Sequence, residues 1–384
     1  LGRYEDKIEK NLLVTNKTPG PEDLEPLVRT GDHGLTLMEL APFGVVAAIT
    51  PTTNPTSTII NNTISIVSAG NAVVFNAHPN AKNCSARTVQ LLNQAVVAAG
   101  GPPNLIACVA SPTIESAQAL MRHPEVNLLL VTGGPGVVKE AMASGKRAIC
   151  AGPGNPPVVV DETADLPKAG ADIVKGGSFD NQVVCVLEKE IICVESVADR
   201  LKKAMSAAGA IEIKGWQLGK LEKTIFREIR GPGKPAVVRK EFIGKDASVI
   251  LKEAGLGEAG GARMILVDVP VEHPLVWTEQ MMPVMPLARV RDVNTAIDLA
   301  KRAEHGFRHT AVMHSRNVEA LSRMARVMDC SIFVKNGTSL AGLGAGGEGF
   351  TSYSIASPTG EGLTRARTFT RWRRCVLVDN FRIV

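Results

Sequence analysis

The sequence predicts an α/β protein built on parallel sheets, and three observations carry that prediction. Strand-sized apolar runs alternate with segments of helical apolar spacing along most of the chain, which is the signature of repeated strand–helix–strand units. At 384 residues the chain exceeds one small core and points to two or three domains. A composition of 45% hydrophobic and 21% charged residues, with 36 glycines, belongs to an enzyme-sized globular protein rather than a fibrous or disordered one.

In chain order, Tyr4, Ile8 and Leu12 start an amphipathic helix almost at the first residue. Earlier residues are therefore expected ahead of it, with any encapsulation or address segment they carry. After Pro19-Gly20-Pro21, residues 34–40 alternate with period two and read as an edge or arm strand before Pro42. Residues 43–50 form a near-continuous apolar run, 51–56 a loop, and Ile59, Ile60, Ile64 and Val67 keep helical spacing up to Gly70. The pattern repeats: a strand at 71–75, a helix with Leu91, Leu92, Ala95 and Val96 inward, a strand at 105–110, a helix through Ala119 and Leu120, and a strand at 126–131. Strands and helices in that order predict a parallel sheet with right-handed crossovers.

The strand at 126–131 runs into Thr132-Gly133-Gly134-Pro135-Gly136, with a helix expected at 137–143. Glycines let a backbone approach a pyrophosphate, and a helix N-terminus favours its charge. The spacing is not G-x-G-x-x-G, and an ordinary turn fits the same residues. A second domain is expected to begin after Gly152-Pro153-Gly154-Asn155-Pro156, with a strand at 158–161. Residues 1–156, 157–349 and 350–384 form the expected division.

Within the second domain, residues 165–177 have helical spacing and end at paired glycines. Residues 190–194 read as a strand, and Val197, Leu201, Ala204 and Met205 as a helix. The stretch 214–240 has no clear assignment. A strand at 264–269, a loop at 277–284, a helix through Val293, Ala296, Ile297 and Ala300 ending at His305-Gly306, a short strand at 332–334 and a flexible segment at 342–349 follow. Residues 375–378 are β-like and suit an oligomerisation arm.

Charge and cysteine usage narrow the function classes. The net charge of +5 comes from 43 basic and 38 acidic residues, and only Arg365, Arg367, Arg371, Arg373 and Arg374 cluster. A solvated or subunit-interface face, or a site for an anionic ligand, accounts for that cluster. Aromatics at 4% leave no base-stacking platform, so no nucleic-acid partner is expected. No apolar run nears the ~20 residues of a membrane span, and no signal-peptide core follows the first residues. Seven cysteines without a C-x-x-C pair fit a reducing compartment and no metal site.

One cysteine stands out. Cys185 follows the polar turn Ser178-Phe179-Asp180-Asn181-Gln182 and precedes a strand, a junction where a thiol and neighbouring amides can face a reacting carbonyl. A buried structural cysteine among Val183, Val184 and Val186 fits the same residues.

Read in order, Asn54, the turns at 132–136 and 152–157, the segment 179–189, Glu279–Pro283 and His305–Thr310 resemble an aldehyde dehydrogenase, and more narrowly its CoA-acylating branch. Segments 131–139, 155–162 and 346–350 look like the propionaldehyde and ethanolamine-pathway acetaldehyde dehydrogenases of bacterial microcompartments. The resemblance covers the chain nearly end to end. It implies a Rossmann-like NAD-binding domain, an α/β catalytic domain and a small β arm pairing subunits into a homodimer or homotetramer. It also implies a short-chain aldehyde and CoA as substrates, and a bacterial cytoplasmic location inside a microcompartment, with shell proteins or partner enzymes nearby.

Residue by residue, the resemblance makes Cys185 the nucleophile and Asn54 the amide that joins the Cys185 N–H in an oxyanion hole. Thr132, Gly133, Gly134, Gly136, Gly152, Pro153 and Gly154 become cofactor turns, and Glu279 holds the nicotinamide ribose. Asn76, His78 and Pro79 fall at the adenosine end, where hydrolytic relatives place a lysine at the position of Asn76. His309 matches a histidine that assists the CoA thiol, although a hydrogen-bonded structural histidine fits equally. Residues 151–156, Ala-Gly-Pro-Gly-Asn-Pro, lack the glutamate with which water-using relatives release the acid. A thioester on Cys185 is then expected to await the thiol of CoA. Pro153 replaces the alanine that most acylating relatives carry. A hydrolytic NAD-dependent dehydrogenase and a non-catalytic microcompartment structural protein are the competing readings.

Overall fold

The computed structural model describes residues 1–257 and 259–384. The chain forms two compact units, one of residues 1–10 and 153–349, the other of residues 11–152 and 350–384.

The second of these units is built on a five-stranded parallel sheet in the order Ile106–Cys108, Ala72–Ala77, Val45–Thr50, Val126–Thr132, Arg147–Ala151. The strands read as continuous apolar runs because both faces are covered. Val46, Ala48, Leu128 and Leu130 pack with Ile59 and Ile66 of the helix Pro55–Ser68 and Val89 of Lys82–Ala98. Ala47, Leu129 and Val131 point the other way, onto Met121 of Ile114–Arg122 and Val138 of Pro135–Met142. The sheet order therefore reverses between Val45–Thr50 and Val126–Thr132. At such a switch point the two carboxyl ends open a crevice, here between Thr50 and Thr132. Three antiparallel strands, Leu27–Gly31, Gly34–Pro42 and Thr370–Val378, make a separate arm.

Residues 1–10 and 153–349 surround a seven-stranded parallel sheet, Ala210–Ile213, Met264–Val269, Val284–Val290, Glu190–Val194, Pro157–Val160, Thr310–His314, Ile332–Lys335. Two local expectations change here. The unassigned stretch 214–240 holds the helix Gly215–Ile225 and a short antiparallel pair, Phe226–Glu228 with Val237–Val238. The expected loop at 277–284 begins in a 3-10 turn, Pro274–Trp277, and ends at a central strand, Val284–Val290. Pro286 hid that strand, since a proline cannot donate to the ladder and argues against a central position. In the other unit the helix expected at 137–143 starts at Pro135, so Gly136 lies inside its first turn.

Candidate active site

The helix Leu166–Ser178 ends in a 3-10 turn, Phe179–Gln182, that folds against the usual hand. Asp180, Asn181 and Gln182 have φ values of 47°, 50° and 66°. Left-handed backbone costs an L-residue roughly 1–2 kcal/mol, so three in succession must be held from outside. The Asp180 carboxylate accepts from the Arg3 N–H at 2.8 Å and Lys7 Nζ at 2.7 Å, and from the buried Lys10 ammonium. Asn181 Nδ2 donates to the Gly244 carbonyl at 3.0 Å and Asp246 Oδ1 at 2.9 Å. Gln182 Nε2 donates to the Glu188 carbonyl at 2.8 Å, and Lys189 Nζ donates to the carbonyls of Gln182 at 2.9 Å and Val184 at 3.3 Å.

This scaffold presents one side chain. Between Gly176 and Val194 every residue is buried except Cys185, which is partly exposed. The protein packed around its sulfur nevertheless pushes the thiol up to about 12; the Glu279 carboxyl adds to the shift, and the Lys189 ammonium opposes it. Burial likewise raises Glu279 to about 7, against the pull of Lys189 and the Gly154 N–H. Lys189 is lowered by its own burial, while Glu279, Cys185, Glu188 and Glu190 favour its charge.

His309 lies beside the same turn. A Cβ on Gly154 would stand 2.9 Å from the Cys185 carbonyl oxygen and 3.0 Å from His309 Cγ, so only glycine fits between them. Burial lowers His309 to about 4, which keeps the ring neutral. Its Nδ1 pairs with Thr310 Oγ1 at 2.8 Å, its main-chain N–H donates to Glu304 Oε1 at 2.8 Å, and its buried Nε2 has no protein partner. Glu279 Oε1 is also buried without one. Cys185, Gly154, Glu279 and His309 are thus brought into one neighbourhood, on the same unit as Pro153.

The remaining predicted residues belong to the unit of the five-stranded sheet. Asn54 is buried at the N-cap of Pro55–Ser68, yet its side chain does not cap the helix. Its Nδ2 reaches Thr53 Oγ1 at 3.2 Å, so capping does not explain why an asparagine stands there. Thr132 Oγ1 lies 2.7 Å from Ser354 Oγ, and the Gly133 N–H donates to the Ala151 carbonyl at 3.1 Å. Gly152 abuts Pro358, where a Cβ would stand 3.0 Å from Cγ. Asn76 accepts from Ser116 Oγ at 2.6 Å, and His78 Nδ1 accepts from the Asn80 N–H at 3.2 Å, across the turn that Pro79 opens.

A pyrophosphate fits this glycine turn. Gly134 and Gly136 are exposed, and a Cβ on either would meet nothing within 4 Å. The fold therefore leaves open space in front of a helix N-terminus, where anions bind.

Residues 20–217 match the aldehyde dehydrogenase family. The acetylating acetaldehyde dehydrogenase EutE of Salmonella typhimurium is 54% identical over the whole of this chain and 82% of its own length. The chain belongs to the aldehyde dehydrogenase family. Propionaldehyde dehydrogenase of Rhodopseudomonas palustris, solved with bound CoA and an acylated cysteine, superposes with a TM-score of 0.95 at 50% identity, covering 99% of this chain and 85% of that one. A propionaldehyde dehydrogenase from the fucose-utilisation microcompartment of Clostridium phytofermentans gives 0.96 at 44% identity, covering 100% and 87%.

Sequence reasoning missed the cations of this aldehyde dehydrogenase. Lys189 and Lys10 are almost fully buried beside the turn that leads to Cys185. A signal for the first was present: Glu188-Lys189-Glu190 leads straight into an apolar strand, and charges there must pair or neutralise inside the fold. Glu188 pairs with the Ser339 N–H at 2.8 Å and Oγ at 2.6 Å. For Lys10 there was none: Tyr4, Ile8 and Leu12, the apolar positions that marked its helix, are exposed in the structure, and Lys10 and Val14 are buried instead.

Proposed function

We propose that this aldehyde dehydrogenase oxidises a short aliphatic aldehyde, propionaldehyde ahead of acetaldehyde, to the acyl-CoA. The observation that carries the proposal is Cys185 as the one partly exposed residue on a strained, otherwise buried turn bordered by Glu279, Lys189 and His309. When bound, NAD supplies the hydride acceptor and CoA the thiol that takes the acyl group. The Cys185 sulfur attacks the aldehyde carbon, and loss of hydride from the adduct leaves a thioester on the same sulfur. Attack by a second thiol then releases the acyl group and restores Cys185. Asn54 and the Cys185 N–H are the donors for the oxyanion.

Neutral His309 has an open Nε2 and is the group we assign to deprotonating the incoming thiol. Gly133, Gly134 and Gly136 receive the pyrophosphate, with Thr132, Gly152, Pro153 and Gly154 shaping the cofactor turns. Asn76, His78 and Pro79 serve the adenosine end, and Glu279 the nicotinamide ribose. Val183, Val184 and Val186 favour a small aliphatic group. The arm strand Thr370–Val378 exposes Trp372, Val376, Leu377 and Val378, which supports pairing with a second copy in a homodimer or homotetramer. Among the described residues no helix is long and apolar enough to cross a membrane. We place the enzyme in the bacterial cytoplasm, inside a microcompartment with its shell or partner enzymes.

One observation favours hydrolysis as a second reading. Glu279, raised to about 7, is a carboxyl near Cys185 that can accept a proton at neutral pH. The two readings part when enzyme, NAD and propionaldehyde are mixed without CoA. The acylating reading expects one equivalent of NADH per site, a stall, a propionyl group on the Cys185 peptide by mass spectrometry, and turnover restarted by CoA. Sustained NADH and free propionate without CoA would transfer the role of base to Glu279 and overturn the acylating step.

A further inference from the structure

Lys189 is the group beside Cys185 to which the proposed reaction gives no part. Its side chain is fully buried, a place lysine seldom occupies unless paired. The ammonium donates to the carbonyls of Gln182 and Val184, the last strained residue and the residue just before the thiol. Its main-chain N–H donates to the Pro156 carbonyl at 3.0 Å, and its carbonyl accepts from Gln280 Nε2 at 3.3 Å. One residue therefore ties the nucleophile turn both to the segment after Gly154 and to the neighbour of Glu279.

The ionisable groups facing this ammonium are Glu279, Cys185, Glu188, Glu190 and the neutral His309, and Lys10 also acts on the thiol. Glu188 is taken by Ser339. Glu190 is buried with neither oxygen hydrogen-bonded, a setting that favours its neutral form. Cys185 and Glu279 remain as the groups whose negative charge Lys189 can answer.

We propose that Lys189 is a positioning residue of the aldehyde reaction: its ammonium locks the left-handed turn by binding the Gln182 and Val184 carbonyls and is the cationic partner of the Cys185 thiolate. The inference rests on Cys185 as nucleophile. Without the ammonium two carbonyls inside the fold lose their donor, and the thiolate forms beside the Glu279 carboxylate with less positive charge near it.

The test is iodoacetamide alkylation of Cys185 in the whole protein, followed by peptide mass spectrometry across a pH series. It needs no aldehyde, NAD or CoA, so it reads the Lys189–Cys185 coupling whether or not Cys185 carries the reaction. Lys189→Gln keeps an N–H for the carbonyls but no charge, and should slow alkylation about tenfold at a given pH, the effect of a thiol pKa raised by one unit. Lys189→Arg should restore the rate to within about threefold of wild type, less than half a pKa unit. A Lys189→Gln profile superimposable on wild type overturns the proposal, as does a Lys189→Arg profile no faster than that of Lys189→Gln. Cys185→Ser assayed separately for turnover decides the nucleophile reading: residual turnover there would sink that reading and leave the alkylation result intact.

Discussion

Two turns in this chain carry proposed ligand contacts, and they are built on opposite principles. The turn at 132–136 is rich in glycine, yet no residue in it has a positive φ, and Gly134 and Gly136 have open space where a side chain would sit. The turn at 179–185 contains no glycine, yet three of its residues are left-handed and its polar groups are tied by three cations and two amides. The first turn leaves room, whereas the second stores strain and holds it with buried charge. A glycine motif is thus a guide to where a ligand's backbone contacts fit. It is a poor guide to where a thiol is held on strained backbone.

The largest effect should come from the strained turn. Cys185→Ala is expected to abolish aldehyde-dependent NADH formation while NAD binding stays within a few-fold, since the thiol is no part of the glycine turn; substantial turnover in that variant would erase the contrast. The wild-type thiol, pushed up to about 12, has its thiolate fraction still climbing above neutral pH. Alkylation of Cys185 should therefore rise about tenfold per pH unit from roughly pH 7 to 10, and a plateau near pH 8 would mean a thiol far less shielded than the packing around it implies.

Next comes the clamp. Asp180 is fully buried and holds Lys7 and Lys10. Removing one partner of a buried pair leaves the other uncompensated, at a cost of roughly 3–5 kcal/mol. Asp180→Asn should lower stability by about that amount in a denaturant titration. A change under about 1 kcal/mol would say that the turn is held by Asn181 and Lys189 alone.

Asn54→Ala tests whether the chemistry draws on the other unit at all. Loss of one oxyanion donor should reduce kcat by roughly 10²–10³, about 2.7–4 kcal/mol, with little change in KM for NAD. A loss below tenfold would return Asn54 to the status of a turn residue.

The two turns also differ in how far they were legible. The parallel sheet of residues 45–151 could be read because most of its strands are predominantly apolar runs separated by helix-period segments. Its fifth strand, Arg147–Ala151, has two small residues in five and too little pattern to be read. Thr310–His314 was hidden by its polar ends, since Thr310 and His314 are buried in the fold without looking apolar in the sequence. Cys185 could be read only as a thiol between a turn and a strand. The left-handed run at Asp180, Asn181 and Gln182 was not legible, because these residues tolerate that conformation but do not announce it. Still less visible was the clamp from Arg3, Lys7 and Lys10, which lies 170 or more positions away in sequence and exists only through tertiary packing.

The smallest effect should come from the open turn, and it is the sharpest test of what that turn is for. Gly136 lies in the first helical turn with an ordinary φ and exposed surroundings, and a Cβ there would touch nothing. Glycine within a helix is less favourable than alanine by up to about 1 kcal/mol, so Gly136→Ala should leave stability unchanged or raise it by at most that much. If the glycine is an ordinary turn residue, kinetics should follow stability and show nothing. If the space belongs to a pyrophosphate, the added methyl occupies the approach of the cofactor, and KM for NAD should rise while kcat at saturating NAD stays near wild type. Such a split, in which the protein is at least as stable and binds NAD more weakly, cannot come from damage to the fold. A Gly136→Ala enzyme with unchanged KM for NAD would remove Gly136 from the cofactor site.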